Sequence, residues 1–433
     1  MNAVLGIGNI ALRIISVSWW ILLPLILFFV FIELRVWKKK VEFIKKIKWV
    51  LLEIKIPQEV LKTPKAMENV FSALHSIYVK NPDWEDVFFK GETLLWFSFE
   101  MVGNAGQVHF FARVPEINRN LIESAIYAEY PDAEINQAED YTSLLPEVIP
   151  NDIYDLWGND FILGKENPYP IKSYEYFETL TEERRLDPIS AITEVMSRLK
   201  EDEMIWLQFL IKPVGDGWKK EGEDLRDKMM QREKKTKAGF FGELFDGLAV
   251  FIKNLFVAAV EHPTWPEKEK SSDKEKTGRL SPGETDVLKA VENKISKFGF
   301  ETIIRFIYID KQNSFTRANM AAIVGAFKQF STQNMNTLKM DSNTTTYITS
   351  SKFTTRSWFR KKKLYSRKRK IFQLYRDRLF SGIGFPIHER KLTIFNTEEL
   401  ATVFHFPLTI VEAPKLHRVG TRKGEPPPGL PVE

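Results

Sequence analysis

The sequence predicts an α+β protein: an N-terminal transmembrane helix followed by two ferredoxin-like (βαββαβ) domains, the second carrying a long helical insertion. Three observations predict it. Residues 14–32 form an uncharged run, IISVSWWILLPLILFFVFI. From Val50 onward, short runs of β-branched and aromatic residues alternate with segments whose apolar residues recur at helical spacing, in the order β-α-β-β-α-β. A similar succession begins again near Lys172 and is broken near Gly215 by a charge-dense stretch.

The first element spans residues 14–33, after a short non-cytoplasmic N-terminus of residues 1–13. At ~1.5 Å per residue the run reaches ~28 Å, close to a hydrocarbon core. Trp19 and Trp20 lie toward one end and Trp37 beyond the other, as interface anchors do, and membrane helices tolerate a proline such as Pro24. The non-basic leader, the length of the run and the lack of an A-x-A site separate it from a cleaved signal peptide. Residues 34–48 then carry Lys38, Lys39, Lys40, Lys45, Lys46 and Lys48, a basic segment suited to anionic lipid head groups. The charge asymmetry predicts a single-pass protein of the cytoplasmic membrane, N-terminus outside and body in the cytoplasm.

Residues 49–145 read as the first ferredoxin-like domain. VLLEIKIP is strand-like, and Thr63-Pro64 is a helix start, followed by Met67, Val70, Phe71, Leu74, Ile77 and Tyr78 at helical spacing. His75 lies beside that stripe and reads as a packing or surface residue. ETLLWFSFEMV and QVHFFARV form a hairpin around GNAG. Pro115 opens a second helix, and DAEINQAEDY returns as a strand.

Residues 146–350 read as the second domain. KSYEYF is a candidate strand, Asp187-Pro188 opens a helix, and EMIWLQFLIKPV and ETIIRFIYID are long apolar strands. Ser314 is the expected cap of the next helix, and a last strand falls within NTLKMDSNTTTYITS. The insertion covers residues 215–298, with an amphipathic helix over 239–259 and a flexible linker over 263–280. Phe240, Phe241, Phe245, Phe251 and Phe256 fall mostly on one broad face of that helix. That face suits a membrane surface or a partner, or else closes its own domain.

Residues 351–433 comprise a basic helix, a connector and a Pro-rich tail. Lys361, Lys362, Lys363, Arg367, Lys368 and Arg369 are interleaved with Trp358, Phe359, Tyr365, Phe372 and Tyr375. Basic groups neutralise phosphates and aromatics stack on bases, which points to nucleic acid. The plainer reading is a solvated or lipid-facing basic surface. In ELATVFHFP, Leu400, Phe404, His405 and Phe406 form a candidate docking segment ahead of the extended tail GEPPPGLPVE.

Composition narrows the chemistry. The 433 residues suit about two to three domains, and a 44% apolar fraction supplies their cores. The net charge of +5 is mild for this length and does not mark a nucleic-acid binder. Without cysteine there are no disulfides, cysteine-ligated metals or thiol nucleophiles. The six histidines include no i, i+4 pair and no HExxH pattern, so no metal or other cofactor is expected. No Walker A loop, G-x-S-x-G or kinase signature set occurs, and the expectation is a non-enzyme. An enzyme whose acid–base groups come from distant positions is the third reading.

Three stretches carry a resemblance: IELRVWKKKVEF…WVLLEIKIPQEVLKTPKAMENVFSALHSIY, MIWLQFLIKPVGDGW, and NTEELATVFHFP…EAPKLHRVGTRKGEPPPGLPV. Together they resemble the amino-terminal, non-motor region ahead of the ATPase domain in predicted bacterial DNA-transfer proteins. These belong to the TraD/TraG-like and HerA-like class of type IV secretion and conjugation ATPases. The resemblance spans most of the chain, and in that arrangement a segment such as ELATVFHFP leads toward the motor. It implies a membrane-anchored, non-catalytic platform for a separate P-loop ATPase of a DNA-translocation or type IV secretion-like apparatus. Since such motors are rings, it also implies a homo-oligomer. The alternative is a membrane-tethered nucleic-acid-binding protein with DNA as its partner.

Overall fold

The computed structural model describes residues 2–57, 62–178, 187–230, 280–347, 357–380, 393–407 and 418–419, with side chains of the first helix described for Trp20 and from Leu23 onward. That helix, α1 (Asn2–Lys46), runs through Pro24 and delivers the chain to the body. There follow β1 (Trp49–Pro57), α2 (Pro64–Leu74), β2 (Phe97–Asn104), β3 (Gln107–Pro115), α3 (Arg119–Glu129) and β4 (Glu134–Gln137). Their antiparallel pairings give the order β4-β1-β3-β2. The β2–β3 turn holds Ala105 at φ 48° and Gly106 at φ 80°, the left-handed pair that a tight two-residue hairpin requires.

The second half contains β5 (Tyr154–Leu163), α4 (Glu175–Glu178), α5 (Ser190–Ser197), β6 (Met204–Pro213), α6 (Lys219–Met229), α7 (Pro282–Ser296), β7 (Gly299–Lys311), α8 (Arg317–Phe327) and β8 (Leu338–Met340). Its order is β8-β5-β7-β6, again antiparallel. The chain ends its described course with α9 (Ser357–Asp377), β9 (Thr393–Asn396), α10 (Thr397–Val403) and the two-residue β10 (Arg418–Val419).

The expectation of two separate ferredoxin-like domains is corrected by one contact. β2 pairs with β6 over Phe97↔Ile211 to Asn104↔Met204, so both halves belong to a single sheet of ten strands. The reason is visible in the two strands. Every residue of WFSFEMV and IWLQFLI is buried, and neither strand could stay at an edge with unpaired backbone groups. All neighbours are antiparallel except β10, which lies parallel to the end of β1.

Alternation along the strands builds a core on each face. On one face Leu52, Phe99, Phe110, Leu207, Phe209 and Phe306 pack under α2, α3, α5, α8 and α10. On the other, Val102, Phe111, Trp206 and Ile307 pack against Tyr141, Ile149 and the Ile371–Tyr375 face of α9. Gly158 on β5 admits that helix closely: a Cβ there would lie 3.0 Å from Ile371 Cδ1.

Further expectations change. Among the described residues no helix is long and apolar enough to cross a membrane, so the transmembrane span and the single-pass membrane reading built on it are not upheld. KSYEYF is not a strand; it leads into α4. The strand it was expected to supply is YDLWGNDFIL, whose central Gly, Asn and Asp disguise it. Thr316, not Ser314, caps α8, because Ser314 Oγ donates to Asp310 instead. The aromatic face Phe240, Phe241, Phe245, Phe251 and Phe256 lies outside the described residues, as do Trp358 and Phe359 at the level of side chains.

Candidate functional site

Two polar assemblies interrupt the apolar cores. The first is a ladder across the sheet. Asp160, Arg305, Gln208 and Glu100 stand side by side in register on β5, β7, β6 and β2. Arg305 donates from Nε to Asp160 Oδ1 (2.8 Å) and from Nη1 to Gln208 Oε1 (3.3 Å). Gln208 Nε2 donates to Glu100 Oε1 (3.2 Å). Arg378, just past α9, grips Glu100 from Nε and Nη2 (2.7 and 3.1 Å) and Asp140 from Nη1 and Nη2 (2.6 and 3.0 Å). Tyr141 OH donates to Glu100 Oε2 (2.7 Å) and accepts from Tyr375 OH (2.7 Å).

This ladder holds α9 onto the seam between the halves. Arg305 Nη1 also reaches the Leu374 carbonyl (2.8 Å), and Trp96 Nε1 the Arg378 carbonyl (2.9 Å). Burial opposes ionisation of Asp140, but the Arg378 guanidinium outweighs it and holds the carboxyl down at about 2. Arg113 lies over the Trp49 ring and is pushed down to about 10 by burial and by the Arg378 charge. Burial also pushes the Tyr141 and Tyr375 hydroxyls up, which keeps them as donors. The Glu100 and Arg378 groups are saturated with partners, so this assembly is a clamp rather than a reaction centre.

The second assembly surrounds a cleft. The sequence NTEE forms a capping box at the start of α10: Asn396 Oδ1 accepts from Glu399 N (2.8 Å), and Asn396 N donates to Glu399 Oε2 (3.1 Å). Glu399 is thereby turned inward, where Lys294 from the last turn of α7 meets it at 2.9 Å, both side chains buried. Ile171 N donates to the other Glu399 oxygen (2.8 Å). Burial pushes the Glu399 carboxyl up and the Lys294 ammonium down. Beside this pair, Lys297 bridges Glu68 (2.8 Å) and Glu398 (2.6 Å), and Tyr174 OH donates to Glu68 (2.6 Å). Burial resists the Glu68 charge, but the bonds from Lys297 and Tyr174 prevail and its carboxyl is lowered.

Above the Lys294–Glu399 pair opens a cavity of about 240 Å³, walled by the 170–176 segment, α7 and the start of α10. Lys294 Nζ is held by both Glu399 oxygens and lies 3.4 Å from the Tyr169 carbonyl. It is therefore a floor for the cleft and not a free nucleophile.

The residues singled out in the sequence are scattered. The candidate docking segment is not an exposed face: Leu400, Phe404, His405 and Phe406 are all buried. Phe404 packs edge-on and tilted against Phe99, Phe110 and Phe209, and Phe406 against Tyr130. His405 ring nitrogens lie 2.7 Å from the Ala401 carbonyl and 2.9 Å from Asp187 Oδ1, so the ring ties α10 to the segment before α5. In the basic helix, Lys368 is spent on Asp155 (2.6 Å), Arg367 donates to the Thr345 carbonyl (3.0 Å), and Arg369 lies over Tyr365. Lys361, Lys362 and Lys363 lie on its exposed side. In α1, Trp20 and Trp37 are exposed, Lys39 pairs with Glu42 (3.0 Å) and Lys48 approaches Glu116 (3.9 Å). Lys38, Lys40, Lys45 and Lys46 are exposed, and Trp19 lies outside the described side chains.

Sequence reasoning missed Glu100, Arg305, Arg378, Lys294 and Glu399. Charged residues inside WFSFEMV and ETIIRFIYID, and the N-x-x-E spacing of Asn396 and Glu399, were the available signals. Among the described residues no group of His, Cys, Asp and Glu could hold a metal ion.

No curated protein matches the chain. A family model described as Domain of unknown function (DUF8128) matches residues 34–417, which takes in β1 to β9, the clamp and the cleft alike. The chain belongs to that family.

Proposed function

We propose that this protein is a non-catalytic platform that docks a separate macromolecule, with a P-loop ATPase of a DNA-translocation apparatus as the partner the sequence resemblance favours. The observation that carries it is the apolar arm of α1. Leu23, Leu25, Ile26, Leu27, Phe28 and Phe29 are each about half exposed, on all sides of the helix. A helix apolar all round needs cover. The arm is fixed to the body, since Arg35 lies 4.8 Å from the Phe88 ring and Gly91 meets the backbone of Lys39. With ELATVFHFP built into the core, docking moves from the C-terminal connector to this arm.

The test is cross-linked purification of the full chain, nuclease-treated, against a variant with Leu23, Leu27 and Phe28 changed to Asn. Retention of a P-loop ATPase by the parent and its loss in the variant is the expected result. Recovery of lipid or detergent alone would overturn the platform.

A second reading, nucleic-acid binding, rests on α9. Its inner face is anchored while Lys361, Lys363, Arg369 and Lys370 face outward. Single-stranded DNA binding that weakens steeply with salt, and is abolished by charge reversal at those four positions, supports it. Absence of binding at low salt ends it.

A further inference from the structure

We propose that the cleft above Lys294 and Glu399 binds a primary alkylammonium group. This goes beyond the platform reading and does not depend on it. The cavity of about 240 Å³ is smaller than the usual ligand pocket and suits one side-chain-sized group rather than a nucleotide.

Three features set its preference. Ser173 lines the cavity and is only 5% exposed, yet its hydroxyl makes no hydrogen bond among the described residues. Its oxygen can accept from a donor placed in the cavity. Glu175 lines the same cavity, and its carboxylate has no hydrogen bond or ion pair among the described residues. Glu398 lines it too, and among the described residues its carboxylate pairs with Lys297. The surrounding acids Glu68, Glu175, Glu398 and Glu399 thus face Lys294, Lys297 and, on the outer side of Glu68, Lys65. Among the described residues, Glu175 is the acid that makes no ion pair. Partial burial and the Glu398 charge push its carboxyl up, against the Lys297 charge, which lowers it.

The rest of the wall fits a short alkyl stem. Tyr176, 51% exposed, lines the cavity, and Ile171 and Met335 supply apolar contact. An ammonium has three donors and no acceptor, matching Ser173 Oγ and the Glu175 and Glu398 carboxylates. The group can come from a free amine or from a lysine side chain of a docked polypeptide. Either would bridge α7, which returns from the insertion, to α10 and the 170–176 segment.

The experiment is a ligand-observed NMR titration of the full chain at pH 7.5 with n-butylammonium, with Nα-acetyl-lysine N-methylamide, and with n-butanol as the uncharged control. Saturable binding of the ammonium and none of the alcohol is expected. Glu175→Gln should weaken it about tenfold, the loss of one charge-assisted contact. Ser173→Ala should weaken it by roughly threefold. Glu175 is exposed, so its variant should keep the parent melting temperature. Tighter binding of the blocked lysine than of butylammonium identifies a polypeptide source, and the reverse order a free amine. No saturable binding of either ammonium, equal binding of butanol, or an unchanged affinity in Glu175→Gln overturns the proposal. Capture of a partner by the α1 arm is read separately and bears on neither result.

Discussion

Arg378 sits at φ 51°, a left-handed position just past α9 where glycine is the usual choice. Its side chain bears on the exception, because from there the guanidinium reaches both Glu100 and Asp140. Arg378→Met strands the buried Glu100 carboxylate and should cost about 3–5 kcal/mol, read by denaturant unfolding. Arg378→Lys should recover little, since a point charge cannot replace a fork. The acid limb follows from Asp140, whose carboxyl is lowered in the fold from its ordinary 3.8 to about 2. A lowered carboxyl contributes stability above its unfolded value and loses it as pH falls, here between about 4 and 2. Asp140→Asn should flatten stability across that window, while a curve identical to the parent's would remove Asp140 from the account. Lys294 and Glu399 make the complementary case. Lys294→Met should cost about 3–5 kcal/mol, and adding Glu399→Gln should recover part of it, because glutamine keeps the capping box and carries no buried charge. A double variant less stable than Lys294→Met would contradict that coupling. At this scale the sequence displayed Glu100 and Arg305 as charges within apolar strands, but their partners lie far along the chain. Glu100 meets Arg378 across 278 positions.

The element that sequence reasoning described best and interpreted least well is α9. Its charge and its aromatics were plain, but spacing alone does not say which ring faces bases and which faces a core. Phe372 and Tyr375 turn inward with Ile371, whereas Tyr365 stays 45% exposed. What admits the inner face is Gly158, a residue that made β5 hard to read as a strand. Gly158→Val should force Ile371 aside and cost about 1–3 kcal/mol. It should also expose the Arg360–Lys370 stretch to trypsin sooner than in the parent. Parent-like proteolysis would show that the helix is held by the Arg378 and Arg305 bonds alone. The connector is ambiguous in sequence for a related reason. ELATVFHFP is apolar enough to be sticky, and stickiness is equally the signature of a segment already covered. His405 could not reveal which, because Asp187 stands 218 positions away.

Across the whole molecule, the succession of strands and helices in each half was legible because turn residues and caps are local. The join was not. Pairing of β2 with β6 is written only as two mostly apolar runs, each broken by a polar residue such as Glu100 or Gln208, a pattern that also fits a strand packed between layers. The consequence is mechanical: the seam carries Phe99 opposite Phe209 on one face and Glu100 opposite Gln208 on the other. Phe404 closes over both phenylalanines, with ring centroids 5.2 and 5.4 Å away. A cut at this seam should therefore be felt at both ends of the sheet. Phe209→Ala should cost about 3–5 kcal/mol. Hydrogen exchange should then show the amides of β1 and β3 losing protection in step with those of β5 and β7, because the halves share their central strands and the polar ladder that crosses them. Loss confined to β5–β8, with β1–β4 still protected, would mean that the halves unfold as separate units and that the seam joins two modules without making them one.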